Sequence, residues 1–221
     1  MPLKINQEVL VYNTQHQLEL IRGIHPNAYA PQGTSITELS AGGYIEFGGA
    51  YYHLVTVSRY LDVKWNNFKK RKNDYWVYEL QLVDLMTSEV RWIEWEYDDE
   101  LEITETLARI ALREISHKGQ TITLSALAEI AENESGQVTY QGKTYDYVED
   151  DAWAALYYKT EESEPAAVRM FEFTSADNQY LTIEAWDNED DRPDREAFLS
   201  KPLSSSSIQV VQKKPYINKE Q

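Results

Sequence analysis

Two glutamates occupy the same place in two similar stretches of the sequence. Glu79 lies within Val77–Leu80, and Glu172 lies within Met170–Phe173. Two carboxylates that lie close together in space can bind a cation, or can act as the general acid and the general base of a reaction. Side chains alternate along a strand, so apolar neighbours that face the core would instead leave both carboxylates on the solvent face. The sequence leaves both interpretations open.

Carboxylates also stand beside aromatic residues at two predicted strand ends. Such a surface suits an organic polycation, because ion pairing and cation–π attraction act together. The alternative is a strand end that runs into a solvated, charged loop. The candidate binding residues are these clusters and the two glutamates: Trp92, Glu94, Trp95, Asp98, Trp186, Asp187, Glu79 and Glu172.

Residues that usually carry catalysis or bind metals are scarce. Cysteine is absent, and none of the four histidines (His16, His25, His53 and His117) pairs with another at zinc-site spacing. The sequence contains no nucleophile elbow, phosphate-cradling loop or dinucleotide fingerprint. We therefore predict no catalytic residue, no metal and no cofactor, and the sequence favours a protein that is not an enzyme.

A repeat in the sequence indicates how these residues are positioned. The block from Gly43 to Val55 resembles the block from Gly136 to Val148, and each matched pair is 93 positions apart, as residues 43 and 136 are. Tyr52 thereby matches Tyr145, and the two glutamates match as well. Because further apolar and aromatic positions follow in the same register, we predict two diverged copies of one unit.

The pattern of each copy predicts a set of antiparallel strands. An alternating segment, a turn at Gly48-Gly49 or Gln141-Gly142 and a second apolar run predict a tight hairpin. Further alternating strands follow at Tyr75–Val83 and Val90–Tyr97 in the first copy, with counterparts in the second. Aromatic residues make up 12% of the chain, which also favours sheets.

The predicted fold class is mainly β with a minor α contribution. It consists of two tandem, diverged antiparallel β-sheet or half-barrel units that are related by pseudo-twofold symmetry, with short helices between them. The helical spacing of apolar residues predicts helices at Thr104–Ser116 and Ser125–Glu132. The predicted regions are 1–37 (N-terminal strands Val9–Tyr12 and Leu18–Ile21 and a loop), 38–103 (first copy), 104–130 (helical connection), 131–203 (second copy) and 204–221 (flexible tail).

The net charge and the hydropathy of the chain indicate which classes of binding partner are favoured. The net charge of −16 repels nucleic acid and anionic lipid and attracts cations or basic protein surfaces. One segment of the acidic chain is basic, at Lys64 and Lys69–Lys72. We interpret it either as a solvated hairpin tip or as a contact for an acidic partner. With no apolar leader and no bilayer-length run, we predict a soluble, cytoplasmic protein without membrane insertion.

Three short motifs resemble a bacterial family that is defined as domain of unknown function 4178. They are Gly49-x-x-Tyr52-x-x-Val55, Glu79-Leu-Gln-Leu82 and Arg91-Trp92-Ile93, and Gly142-x-x-Tyr145 resembles the second half of that family. The resemblance covers roughly residues 40 to 200. It implies an accessory role in envelope-stress or polyamine-related systems, and it supplies no catalytic residues.

Three functions remain as hypotheses. The leading one is a non-catalytic binding or adaptor protein that engages a protein partner through its aromatic and acidic sheet surface. The second is a binder of small organic polycations such as spermidine. The third is an enzyme that uses Glu79 and Glu172 as an acid–base pair, which requires the two carboxyls to face a common space.

Overall fold

The computed structural model describes residue 24, residues 28–187 and residues 194–215, and this part of the chain is mainly β. One α-helix, α1, spans Leu124–Glu132. The strands are β1 (Tyr44–Phe47), β2 (Ala50–Val63), β3 (Trp76–Asp84), β4 (Val90–Tyr97), β5 (Leu101–Ile110), β6 (Ile115–His117), β7 (Gln120–Thr121), β8 (Gln137–Tyr140), β9 (Lys143–Tyr158), β10 (Ala166–Thr174), β11 (Tyr180–Asp187), β12 (Arg195–Pro202) and β13 (Ile208–Gln212).

The chain divides into two compact units. The first comprises Met1–Thr56, Gln81–Val90 and Ser205–Gln221, and the second comprises Val57–Leu80 and Arg91–Ser204. Within the described residues, the first unit contains the β1–β2 hairpin and β13, which pairs with β1 in antiparallel fashion. The second unit contains α1 and most of the strands.

The chain forms a closed antiparallel barrel of eight strands, and the second unit contains all of it except one end each of β2, β3 and β4. Its strand order is β2-β3-β4-β5-β12-β11-β10-β9, and a β2–β9 pairing closes the ring. The closing ladder runs from Arg59 opposite Tyr158 to Val63 opposite Ala154. Closure removes the free sheet edges and separates an inward from an outward face on every strand.

The outward face of β10 and β11 is covered by a second layer. Phe171, Phe173, Leu181 and Ile183 form one apolar core with α1 and with β8. The helix begins where Thr123 Oγ1 accepts a hydrogen bond from the Ala126 amide at 3.2 Å, which satisfies a free amide of the first turn. Both faces of β10 are therefore covered by protein.

The two predicted hairpins are present, and their registers correspond. Ile45 pairs with Tyr52 in β1–β2, and Val138 pairs with Tyr145 in β8–β9. Both tyrosines are buried. Both two-residue turns have positive φ, with 59° and 78° at Gly48-Gly49 and 48° and 79° at Gln141-Gly142. Two central residues with positive φ are what a tight hairpin turn requires.

The predicted helix at Thr104–Ser116 is wrong, whereas the helix at Ser125–Glu132 is confirmed as α1. The first segment forms β5, a short 3₁₀ turn and β6. Thr106 pairs with Ser200 and Ala108 pairs with Leu199, so Leu107 has no partner in the β12 ladder. This irregularity shifts the alternation of apolar residues and imitates a helical period, while the β-branched residues of the segment favour a strand.

The flexible tail predicted for residues 204–221 is wrong for its first part. Residues Ser205–Ser207 form a 3₁₀ turn, and β13 follows, with Val210 and Gln212 buried. The segment forms a strand despite its polar composition, because alternate side chains are buried where it pairs with β1. The predicted strands Val9–Tyr12 and Leu18–Ile21 lie outside the described residues. Within the described residues, no helix has the length and apolar character needed to span a membrane.

Replacing Leu127 with Ala should destabilise the protein strongly, because Leu127 is fully buried under β10 and β11. Loss of such a side chain costs about 2–5 kcal/mol of unfolding free energy. Leu124→Ala is the matched control, because Leu124 is on the same helix but 37% exposed. Urea unfolding should show a clearly smaller loss for Leu124→Ala. Equal losses would contradict the packing of α1 on the barrel.

Candidate functional site

Four glutamates point into the barrel interior. The carboxyl of Glu94 on β4 interacts electrostatically with those of Glu79, Glu184 and Glu172. β4 and β10 are four strands apart in either direction around the ring, so Glu94 and Glu172 can interact only through the interior. We call Glu79, Glu94, Glu172 and Glu184 the interior quartet.

Hydroxyl groups surround the carboxyl of Glu79. The Tyr157 hydroxyl donates a hydrogen bond to Glu79 Oε1 at 3.3 Å, although β9 and β3 are separated by β2. Burial raises the pKa of Glu79 to about 7, and hydrogen bonds from Tyr157, Ser58 and Tyr60 partly offset that rise. Near neutral pH this carboxyl is therefore poised between its acid and its ionised form.

The carboxyl of Glu94 has neither a hydrogen-bond donor nor a positive charge among the described residues to offset its burial. Burial raises its pKa well above the ordinary value, and the neighbouring carboxyls of Glu79, Glu184, Glu172 and Glu96 raise it further. None of the described residues donates a hydrogen bond to this carboxyl. An ionised Glu94 in this place would lack any partner of opposite charge.

The other two glutamates have indole neighbours. Glu184 is 5% exposed, and burial raises its pKa to about 8, with further rises from Glu79 and Glu196. Hydrogen bonds from Trp186 and Tyr60 act in the opposite direction. Trp153 Nε1 donates a hydrogen bond to Glu172 Oε1 at 3.2 Å. Each of these carboxyls thus lies beside an aromatic side chain of the interior.

Aromatic rings form much of the remaining interior wall. The Tyr60 ring lies 4.8 Å from that of Tyr157 and 6.3 Å from that of Trp153, and the Tyr157 and Trp186 rings are 5.4 Å apart, centroid to centroid. They belong to one apolar cluster with small and aliphatic residues of β3, β9 and β10. Rings beside carboxyls supply both hydrophobic contact and attraction for a cation.

Three members of the quartet keep some accessible surface. Glu79, Glu94 and Glu172 have an intermediate exposed fraction, although burial is the largest cause of the raised pKa of the first two. These three side chains are therefore partly accessible.

A second acidic group lies further along β4. The Tyr75 hydroxyl donates a hydrogen bond to Glu96 Oε2 at 2.7 Å. Burial raises the pKa of Tyr75, and the carboxyls of Glu96, Asp98 and Glu102 add to the rise. Burial also raises the pKa of Glu96. The carboxyls thus continue from the interior quartet towards the exposed turn between β4 and β5.

Members of the predicted acidic–aromatic clusters lie in different places: some point into the barrel, one lies on its outer face and others are exposed. Trp92 is on the Glu94 side of β4, but Trp95 is on the opposite, outward side, where its ring stacks on Tyr78 at 4.1 Å with 5° between the planes. Trp186 is inside the barrel. Asp98 and Asp187 are exposed.

Glu79 and Glu172 both point inward, so the alternative that places them on an outer solvent face is wrong. That alternative assumed that only one face of β10 is covered, whereas Phe171 and Phe173 face the second layer. Sequence reasoning missed Glu184, Tyr60 and Tyr157 as members of this site. No local signal in the sequence marks them, because they come together only when the ring of strands closes.

The chain belongs to the family described as Domain of unknown function (DUF4178), which matches residues 40–205. The match covers all eight barrel strands and the whole interior quartet. No curated protein and no solved structure is significantly similar to the chain. Among the described residues, no group of three or more histidine or carboxylate side chains is arranged to hold a metal ion.

The stability of the unliganded protein should fall as pH rises from about 4.5 to about 8. Glu79 and Glu184 have raised pKa values of about 7 and about 8, so the folded state holds protons that the unfolded chain has released. Unfolding free energy therefore decreases with pH, by at most about 1.4 kcal/mol per pH unit for each group. Urea unfolding at a series of pH values measures this slope.

A Glu79→Gln/Glu184→Gln double variant should show a shallower slope over the same pH range. Glu132→Gln, on the exposed side of α1, is the control and should leave the slope unchanged. Identical slopes in all three proteins would contradict the burial of these carboxyls.

Proposed function

We propose that this protein is a non-catalytic binding protein that takes up a small organic cation inside its barrel. The observation that carries the proposal is the carboxyl of Glu94, which faces three other glutamates in the interior and has no hydrogen-bond donor among the described residues. A bound cation would supply the missing positive charge.

Charge balance is the first argument. Buried carboxylates are costly unless they are protonated or paired, and the groups that shift the pKa of Glu94 are all carboxyls. Towards pH 8 the ionised fraction of Glu79 and Glu184 rises, so the demand for a counter-ion rises with it. An ammonium group between these carboxyls would lower their pKa values and relieve their mutual repulsion.

The chemistry of the wall favours an organic cation. Tyr60, Tyr157, Trp153 and Trp186 offer apolar and π surface next to the carboxyls. Cation–π contacts contribute about 0.5–2 kcal/mol each in desolvated sites. The overall charge of −16 raises the local concentration of cations around the protein.

We also infer that the barrel arose from two tandem copies related by a pseudo-twofold axis. The hairpin registers that correspond at an offset of 93 support this inference, as does the placement of Glu79 and Glu172 at the same offset. β4 and β11 are equal in length and 90 positions apart, which matches Glu94 to Glu184. The interior quartet would then be one pair of glutamates present twice. Superposition of the two strand sets in an experimental structure tests this inference.

The other functions stay predictions. An adaptor that engages a protein partner through the outer sheet would use residues such as Trp95, whose ring already stacks on Tyr78. An acid–base enzyme is favoured by one observation, the pKa of about 7 at Glu79, because a general acid or base works best near its pKa. A bacterial origin, a cytoplasmic location and a role in envelope-stress or polyamine-related systems also stay predictions.

Spermidine should bind to the protein in calorimetric titration at pH 8, where the amines are protonated and the Glu79 carboxyl, with its pKa of about 7, is mostly ionised. Glu94→Gln should weaken this binding at least about tenfold, because a charge-assisted contact is lost. The variant should also be more stable than the wild type at pH 8 without ligand, since burial disfavours the ionised carboxylate that the unfolded chain carries at this position. Glu132→Gln is the control and should bind normally. Equal affinities in wild type and Glu94→Gln, or no binding at millimolar concentration, would overturn the proposal.

A further inference from the structure

Glu94 and Glu96 stand on the same side of β4, two residues apart. Successive residues of a strand advance by about 3.3 Å, so the two side chains leave the strand about 6.6 Å apart along its length. Glu94 belongs to the interior quartet, and Glu96 is the next carboxyl towards the end of the strand. The barrel wall thus carries two carboxyl positions in a line.

The position at Glu96 has its own surroundings. The Tyr75 hydroxyl donates a hydrogen bond to Glu96 Oε2. The carboxyls of Asp98 and Glu102 raise the pKa of both groups. Asp98, Asp99 and Glu100 follow in the exposed turn. A cation at Glu96 would therefore find an aromatic hydroxyl and several carboxyls, distinct from the residues that surround Glu94.

We propose that the ligand is a linear cation with two ammonium groups, one held by the interior quartet at Glu94 and the other by Glu96 beside Tyr75. This inference rests on the proposed function, and it adds the number and the spacing of the charges. In an extended chain with four methylenes between two nitrogens, five bonds of about 1.5 Å carry the nitrogens about 6 Å apart. That separation matches the step from Glu94 to Glu96.

The arrangement also sets a direction for the ligand. The inner ammonium would be enclosed by rings and carboxyls, and the outer ammonium would face the acidic turn between β4 and β5. The acidic turn would attract the ligand, and the enclosed quartet would hold it, since charges attract more strongly where water is excluded. A singly charged amine can satisfy only one of the two positions.

A comparison of butylamine with 1,4-diaminobutane tests the second position. The two ligands share a four-carbon chain and differ in one ammonium group. Titrations of wild type and Glu96→Gln with both ligands at pH 8 form a thermodynamic cycle. We expect wild type to bind the diamine at least tenfold more tightly than the monoamine. Glu96→Gln should lose most of that preference while its affinity for butylamine stays within twofold.

Glu132→Gln is the control, because it removes an exposed carboxylate on α1, and its preference for the diamine should remain. If Glu96→Gln weakens both ligands equally, or if wild type binds both equally, the two-point mode is overturned. Amine binding that depends on Glu94 but not on Glu96 would keep the interior site and remove only this inference. Absence of binding by butylamine, 1,4-diaminobutane and spermidine would overturn both proposals.

Discussion

The antiparallel ladder between β2 and β9 is the contact on which the barrel interior depends. Five consecutive residue pairs, from Arg59–Tyr158 to Val63–Ala154, join the first and last strands of the ring. Without them the sheet would be open, and the inward carboxyls would face water at little cost. With them, residues on opposite strands share one enclosed space, and their charges interact strongly.

Enclosure turns ordinary glutamates into a chemically unusual group. The same residue on an outer strand face would ionise near its normal pKa, whereas Glu79 and Glu184 hold their protons to about pH 7 and about pH 8. A sheet protein gains no stability from such a group, because apolar residues of similar size would fill the space without a desolvation cost. Four carboxyls in one interior therefore support the proposed binding function.

The second layer explains why the strands are difficult to interpret from their residues. In β10 the two phenylalanines face α1 and β8, and Glu172 between them faces the barrel interior. Alternation of apolar and charged residues usually marks a strand with one solvent face. Here the same alternation results from two different enclosed environments, one apolar and one polar, on the two sides of a covered strand.

The separation of Trp92 from Trp95 follows from the same geometry. Residues that are neighbours in the sequence point to opposite faces of a strand, so a dense acidic–aromatic run cannot form one surface. Trp92 and Glu94 share a side of β4, while Trp95 stacks outward on Tyr78. Clusters identified by proximity in sequence are therefore divided by the pleat into an interior part and an exterior part.

The sequence by itself determined the mainly-β class, both tight hairpins and the helix at α1, because alternation, turn glycines and helical spacing are local signals. It could not determine β5, whose irregular pairing at Leu107 depends on β12. It also could not show that Glu94 and Glu184 join the other two glutamates. That assembly required the closure of the ring, since residues far apart in the chain, on opposite strands, share an environment only once the two ends of the sheet have met.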